Sequence, residues 1–282
     1  MSTEPEKTQK TSKPNPVIQT LLSESLRRAL LIQGGAVLLA LLIGAVILLI
    51  SGANPIAAYA ALLKGSFGSS TAFARTLEKA TPLLFSGLAV AFAFRGGLFN
   101  IGAQGQLLLG AIVSAVLGFA LQGLPAWLHV TLALLGGALA GALYAAVPGL
   151  LKAYSGANEV IVTIMLNYIA INLTDYLFDG PFKDTTPGNI VARTPEILDT
   201  ARIPTIGEIP IGFLVALVVA VVVWWLLWHT TIGFEIRTVG LNPHAARYAG
   251  MSVPLVVVLT MVLSGVLAGM GGAVETQGVV GR

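Results

Sequence analysis

An all-α, polytopic bundle of membrane helices is the fold class this sequence predicts, and three observations predict it. Of the chain's 282 residues, 55% are hydrophobic and only 10% charged, with a mean hydropathy of +0.84. Ordinary soluble domains carry about 25% charged residues. Apolar windows recur at the length of about 20 residues that a hydrocarbon core of about 30 Å requires. Tryptophans stand at the ends of those windows, at Trp127 and at Trp224, Trp225 and Trp228, where an aromatic belt belongs.

About seven hydrophobic segments follow in order. Ala29 to Ile50 comes first, preceded by Arg27 and Arg28. Pro55 to Leu63 is too short to cross and reads as a helix lying at the interface. Thr81 to Phe94 is expected to be a short second span, broken by Arg95-Gly96-Gly97 and followed by polar residues, the pattern that places open backbone inside a membrane. Leu107 to Leu121, Trp127 to Val147, Ile161 to Phe178, Ile211 to Trp228 and Pro254 to Val274 complete the set.

Residues 1–28 form a polar tail and 29–282 a transmembrane domain. The stretch Met1 to Asn15, with Lys7, Lys10 and Lys13, precedes a span too long for a signal-peptide core, so it reads as a retained cytoplasmic tail. The Lys/Arg bias between the two sides is slight, and the tail with Arg27 and Arg28 decides that the N-terminus is cytoplasmic. The outer loop 179–210 holds Asp179, Asp184, Glu196, Asp199 and Glu208 against Lys183, Arg193 and Arg202, with five prolines. Two readings stand for it, a plain connector or a docking surface for a soluble delivery protein.

Several function classes fall away. The basic residues form no dense block, which argues against nucleic acid. With no cysteine there is no thiolate metal site and no thiol nucleophile. No phosphate-cradling G-x-x-x-x-G-K-[ST], no G-x-S-x-G and no H-E-x-x-H occurs, and His129, His229 and His244 are scattered. No cofactor is expected, and any ATP that powers the chain must bind another subunit.

Three clusters could carry function. In Phe99 to Gln106, the amides of Asn100, Gln104 and Gln106 can donate and accept among glycines that permit close approach, which suits a neutral polar solute. On the fifth span, Glu159, Thr163, Asn167 and Thr174 fall within an arc of roughly 80°. That stripe either lines a translocation path or makes hydrogen bonds between helices. In the inner segment 230–251, Asn242 is placed to cap a short helix with Pro243 at its first position and Gly250 as its stop, a candidate contact for a cytoplasmic partner. Gly137 and Gly141, and Gly265 and Gly269, are four apart and predict close helix packing.

Five blocks in order resemble the nucleoside-type permeases of ATP-binding-cassette (ABC) importers. These are Asn54-Pro55 through Gly68, Lys79-Ala80-Thr81-Pro82-Leu83, Phe94 through Gln106, Gly156 through Tyr168, and Gly240-Leu241-Asn242-Pro243 with Ala245 through Met251. The resemblance runs from about Ala53 to the last residue. It implies a type II importer permease related to branched-chain amino acid and simple-sugar permeases: a transport subunit and not an enzyme, in the cytoplasmic membrane. The partners it implies are a cytoplasmic ATP-binding subunit, a second related permease, an extracytoplasmic substrate-binding lipoprotein and membrane lipid, with no nucleic acid.

Under that resemblance Asn100, Gln104, Gln106, Glu159, Thr163 and Asn167 are expected along the substrate path. Gly240, Asn242, Ala245, Ala246, Tyr248 and Gly250 are expected to couple to the ATPase. The cargo is expected to be a nucleoside or related small polar solute, with a sugar or a branched-chain amino acid as the alternative and a stand-alone secondary transporter as a remoter one. Two departures from the family stand out. Gln104 occupies a position where such permeases often have Glu, and the chain stops at Arg282 where relatives continue, so C-terminal segments are expected to be missing.

Overall fold

The computed structural model describes residues 24–186 and 191–281. The expected cytoplasmic tail, Met1 to Asn15, and the ends at Pro187 and Arg282 lie outside the described residues. Two compact units divide at Gly65/Ser66.

In the first unit, helix α1 (Glu24–Ile50) contains a 20-residue apolar run, Leu31–Ile50. Helix α2 (Pro55–Phe67) starts at Asn54, whose side chain accepts from the Ile56 and Ala57 amides. The Tyr59 hydroxyl of α2 donates to the Leu41 carbonyl of α1 at 2.7 Å. It fits because Gly44 has no side chain: a Cβ there would stand 2.8 Å from that oxygen.

The second unit is a helical bundle. Helix α3 (Ser70–Arg95) is capped by Ser69, whose hydroxyl accepts from the Ala72 amide. It corrects the expectation of a short span beginning at Thr81. The helix has 26 residues and passes through Pro82, and the Ser86 hydroxyl bonds the Pro82 carbonyl at 2.9 Å. The charged residues Arg75, Glu78 and Lys79 fill its first turns. Helices α4 (Ala103–Ala120), α5 (Ala126–Ser155), α6 (Glu159–Asp179) and α7 (Ile211–His229) follow. The segment expected as an inner loop is mostly helical, with α8 (Thr231–Leu241) capped by Thr230 and α9 (Pro243–Tyr248) capped by Asn242. Helix α10 (Val253–Glu275) ends in a π-turn, Thr276–Val280. Among the described residues seven helices are long and apolar enough to cross a membrane: α1, α3, α4, α5, α6, α7 and α10.

Glycines set the centre of the bundle, where α4, α5 and α10 meet backbone to backbone. A methyl on Gly141 of α5 would stand 2.8 Å from the Gly269 α-carbon of α10, and one on Gly137 would stand 2.8 Å from the Gly110 carbonyl oxygen of α4. Water exclusion does not drive helices together in lipid; close van der Waals contact does, and small residues permit it. Close packing was expected at both glycine pairs, and the structure shows that they meet each other: Gly137 and Gly141 against Gly265 and Gly269 join α5 to α10. Beside it a buried cluster of Phe92, Leu98, Ile236, Ala246, Val256 and Met261 fills the space between α3, α8, α9 and α10.

The outer loop is anchored to the bundle. The Leu198 amide bonds the Gly118 carbonyl at 2.9 Å, and Ile197 and Ala201 are buried. A single turn, Asp199–Ala201, brings Thr200 to His129 of α5. The buried His129 ring meets the Leu117 carbonyl through Nε2 at 3.1 Å and the Thr200 hydroxyl through Nδ1 at 2.9 Å. A carbonyl only accepts, so Nε2 carries the proton and, on a neutral ring, Nδ1 accepts from Thr200. The two-stranded hairpin of β1 (Thr205–Ile206) and β2 (Ile209–Pro210) completes the loop, and the Thr71 hydroxyl of α3 donates to Glu208 at 3.0 Å.

Candidate functional site

Between α3 and α4 the chain turns at Gly96 and Gly97 and re-enters the bundle. Asn100 reaches Ser264, eleven residues into α10 and hence about 16 Å along that helix at 1.5 Å per residue. Its amide is 1% exposed and forms a reciprocal pair with Gln106. Asn100 Nδ2 donates to Gln106 Oε1 at 2.9 Å, and Gln106 Nε2 donates to Asn100 Oδ1 at 3.0 Å. The second Nδ2 hydrogen goes to Ser264 Oγ at 2.8 Å, which donates onward to the Ala89 carbonyl at 2.7 Å. One chain of bonds thus ties the break to α4, α10 and α3. Gln104 is the exposed amide of the three.

The stripe on α6 turns toward the bundle. Glu159, Thr163, Ala170 and Thr174 are buried, and Asn167 is half-buried. The Thr163 and Thr174 hydroxyls bond back to their own helix, at 2.7 Å to the Glu159 carbonyl and 2.9 Å to the Ala170 carbonyl. Asn167 does more: its Oδ1 accepts from the Gly105 amide at 2.8 Å and its Nδ2 donates to the Ile101 carbonyl at 2.9 Å. The first-turn amides of a helix have no partner within it, so Asn167 serves as a cap for α4 supplied from a neighbouring helix. Glu159 pairs with Lys152 of α5 at 2.8 Å across the left-handed turn at Gly156.

The inner segment has the cap and stop read from the sequence. Asn242 Oδ1 accepts from the His244 and Ala245 amides at 3.0 and 3.1 Å, Pro243 begins α9, and Gly250 ends the turn at φ +85°. Ala246 is wholly buried and anchors α9, whereas Ala245 is exposed. Tyr248 is 96% exposed and Leu241 88% exposed, two large apolar side chains with no cover among the described residues. The α8 C-terminus rests on the break: a methyl on Gly97 would stand 2.9 Å from the Gly240 carbonyl oxygen. Sequence reasoning missed α8 and this contact, although the paired glycines of the break and the lone Gly240 are its only signal in the sequence.

Around these parts lies a crevice of about 340 Å³, lined by Gly97, Lys152, Glu159, Gly240, Pro243 and Arg247 among others. It opens where the break, the α5–α6 turn and the inner segment converge. A second cavity, of about 320 Å³, lies beneath the outer loop and is mainly apolar, with Leu108, Ile112, Thr174, Phe178 and Thr276 in its wall.

The family described as "branched-chain amino acid transport system / permease component" matches residues 72–281, a span that includes the break, the α6 stripe and the inner segment. The chain belongs to this permease family. The guanosine ABC transporter permease protein NupP of Bacillus subtilis is 43% identical over 86% of this chain and 70% of its own length. The nucleoside ABC transporter permease protein NupB of Lactococcus lactis is 37% identical over 85% and 68%. The glucose ABC transporter permease protein TsgB13 of Haloferax volcanii is 35% identical over 87% and 67%. No solved structure matches the chain. The permease is thus a multi-pass membrane transport component, as its seven apolar helices and its family both require.

Proposed function

We propose that the permease is the membrane-spanning subunit of an ABC importer that carries a nucleoside or a related small polar solute, with ATP hydrolysed on a separate cytoplasmic subunit. The backbone contact between Gly97 and Gly240 carries this reading. It joins a surface segment that bears the uncovered Tyr248 and Leu241 to a polar break inside the bundle, so a partner that moves the segment moves the break. Coupling of two sites needs such a shared element with two arrangements. The nucleoside assignment rests on the relatives named for guanosine and nucleosides, and the neutral amide chemistry of Gln104 and Asn167 suits hydroxyls and base edges.

Within this reading the six residues expected along the path divide. Asn100 and Gln106 hold the break in shape, Thr163 and Glu159 pack α6, Asn167 caps α4 and keeps one flank half-open, and Gln104 is the amide offered to solute. Gly240, Asn242, Ala245, Ala246, Tyr248 and Gly250 form the coupling segment, which sits on the cytoplasmic side with the N-terminus. A second permease and an extracytoplasmic binding lipoprotein complete the importer.

The test is uptake of labelled guanosine by cells that lack other nucleoside uptake and express the permease with its sister subunits. Uptake is expected to fall on ATP depletion, to compete with other nucleosides and to ignore leucine and glucose. Tyr248→Ala removes an exposed side chain and leaves the fold intact, yet it is expected to abolish uptake and solute-stimulated ATPase. Uptake that survives ATP depletion, or that leucine or glucose suppresses while nucleosides do not, overturns the assignment.

A further inference from the structure

The end of α7 carries a feature that transport of a neutral solute does not use. Arg237 of α8 stacks over the Trp228 ring with its guanidinium carbon 4.3 Å from the ring centroid, and Arg95, the last residue of α3, stands 5.8 Å from the same centroid. One indole thus gathers two cations from two other helices, each within the reach of a cation–π attraction. Neither arginine is in an ion pair with a carboxylate among the described residues. The Arg237 Nε makes one long bond to the Gly233 carbonyl at 3.4 Å, and Glu235, two residues before Arg237, lies about 200° around α8. Two cations gathered on one indole, neither paired with a carboxylate among the described residues, offer a site for an anion with several acceptor oxygens, such as the phosphate that guanidinium groups bind.

The surface that leads to this pair identifies the anion's carrier. Leu214, Val218, Val221, Trp225 and Trp228 follow each other at intervals of three and four along one face of α7, with Leu217 beside them, and all six are exposed. The stripe runs about 21 Å at 1.5 Å per residue, more than the depth of about 15 Å that one leaflet's acyl chains occupy. Helix α7 as a whole is the most apolar of the seven spans among the described residues. An exposed apolar track therefore ends in a tryptophan flanked by two guanidinium groups that have no carboxylate partner among the described residues.

The geometry points to a binding site for one anionic phospholipid, its phosphate held between Arg95 and Arg237 and an acyl chain laid along α7. Because α8 leads directly to the Gly240 contact, a headgroup bound there also bears on the helix that the proposed coupling uses. The lipid site itself rests only on the membrane-spanning fold and stands whether or not the cargo is a nucleoside.

The purified full-length permease, titrated with phosphatidylglycerol or phosphatidylcholine and weighed by native mass spectrometry, tests the site. Each arginine near a membrane surface favours an anionic lipid by about fivefold, so the pair is expected to prefer phosphatidylglycerol by more than about tenfold. R95Q/R237Q is expected to erase the preference, and W228L to weaken it with both charges present. Arg95 is exposed and Arg237 half-buried, so retained thermal stability of R95Q/R237Q confirms that the loss is one of binding. Equal retention of the two lipids, or a preference unchanged in R95Q/R237Q, overturns the proposal. Displacement of the lipid by low-millimolar inorganic phosphate assigns the site to a free phosphoanion and also overturns it. So does an R95Q/R237Q variant that keeps its lipid but no longer holds the ATP-binding subunit, since the arginines would then serve a protein carboxylate.

Discussion

Gly97 and Gly240 touch through their backbones, with the Gly240 carbonyl oxygen 2.9 Å and its α-carbon 3.0 Å from where a side chain on Gly97 would begin. Gly97 has φ +72°, a conformation that costs an L-residue about 1–2 kcal/mol before any clash is counted. Gly240 is equally confined, because a methyl there would run into the Arg95 carbonyl. Gly240→Ala is therefore expected to force α8 away from the break at a cost of about 1–3 kcal/mol. Solute-stimulated ATPase, measured on assembled complexes, should fall at least about tenfold while basal ATPase persists.

Asn100 and Gln104 should separate in assay. Asn100→Ala strands the Gln106 amide in a buried site, at about 1–3 kcal/mol, so the thermal melting point in detergent should drop. Gln104→Ala touches no internal bond and is expected to leave melting unchanged while it raises KM for solute. A Gln104 variant with wild-type KM removes that side chain from the path.

Replacing Gly141 with Leu must push α10 off α5, and the folded yield from membranes is expected to collapse. Gly87 in α3 has nothing within 4 Å of a built Cβ. Gly87→Ala should raise stability by roughly 0.5–1 kcal/mol, as removal of a helix-interior glycine does. The contrast, read by thermal melting, distinguishes contact glycines from incidental ones.

Asp184 in the outer loop accepts from the Thr186 hydroxyl and amide and faces Arg193 at 3.4 Å. These donors, led by the Thr186 hydroxyl, hold its carboxyl below the usual aspartate value of about 3.9. A depressed folded value means that the anchorage is fully present above the ordinary carboxylate pKa and is lost as pH falls through the folded one. Amide exchange across 179–186 should accelerate only at the acid end of that window, and Asp184→Asn should show the faster rate at neutral pH.

Much of the bundle was legible because hydrophobic length is a local property. The Asn242 cap, Pro243 and the Gly250 stop could be read for the same reason, since each acts on atoms two or three residues away. The first turns of α3 could not: Arg75, Glu78 and Lys79 interrupt the apolar run that marks a span, yet they sit comfortably at a helix end. The amide chain escaped as well, because Asn100 and Ser264 are 164 residues apart and no periodicity connects a loop to a helix that distant. The α6 stripe was visible as a stripe, but the two bonds that make Asn167 a cap for α4 depend on where Gly105 and Ile101 fall in space.

Helices whose main chains touch cannot slide past one another without lifting apart first. The meeting of Gly110, Gly137, Gly141, Gly265 and Gly269 therefore makes α4, α5 and α10 a stiff keel, and any alternation between inward- and outward-open shapes has to pivot about it. The hinge belongs where side chains, and not abutting carbonyls, fill the joints: at the seam of α3 with α7, and along the exposed flank of α6.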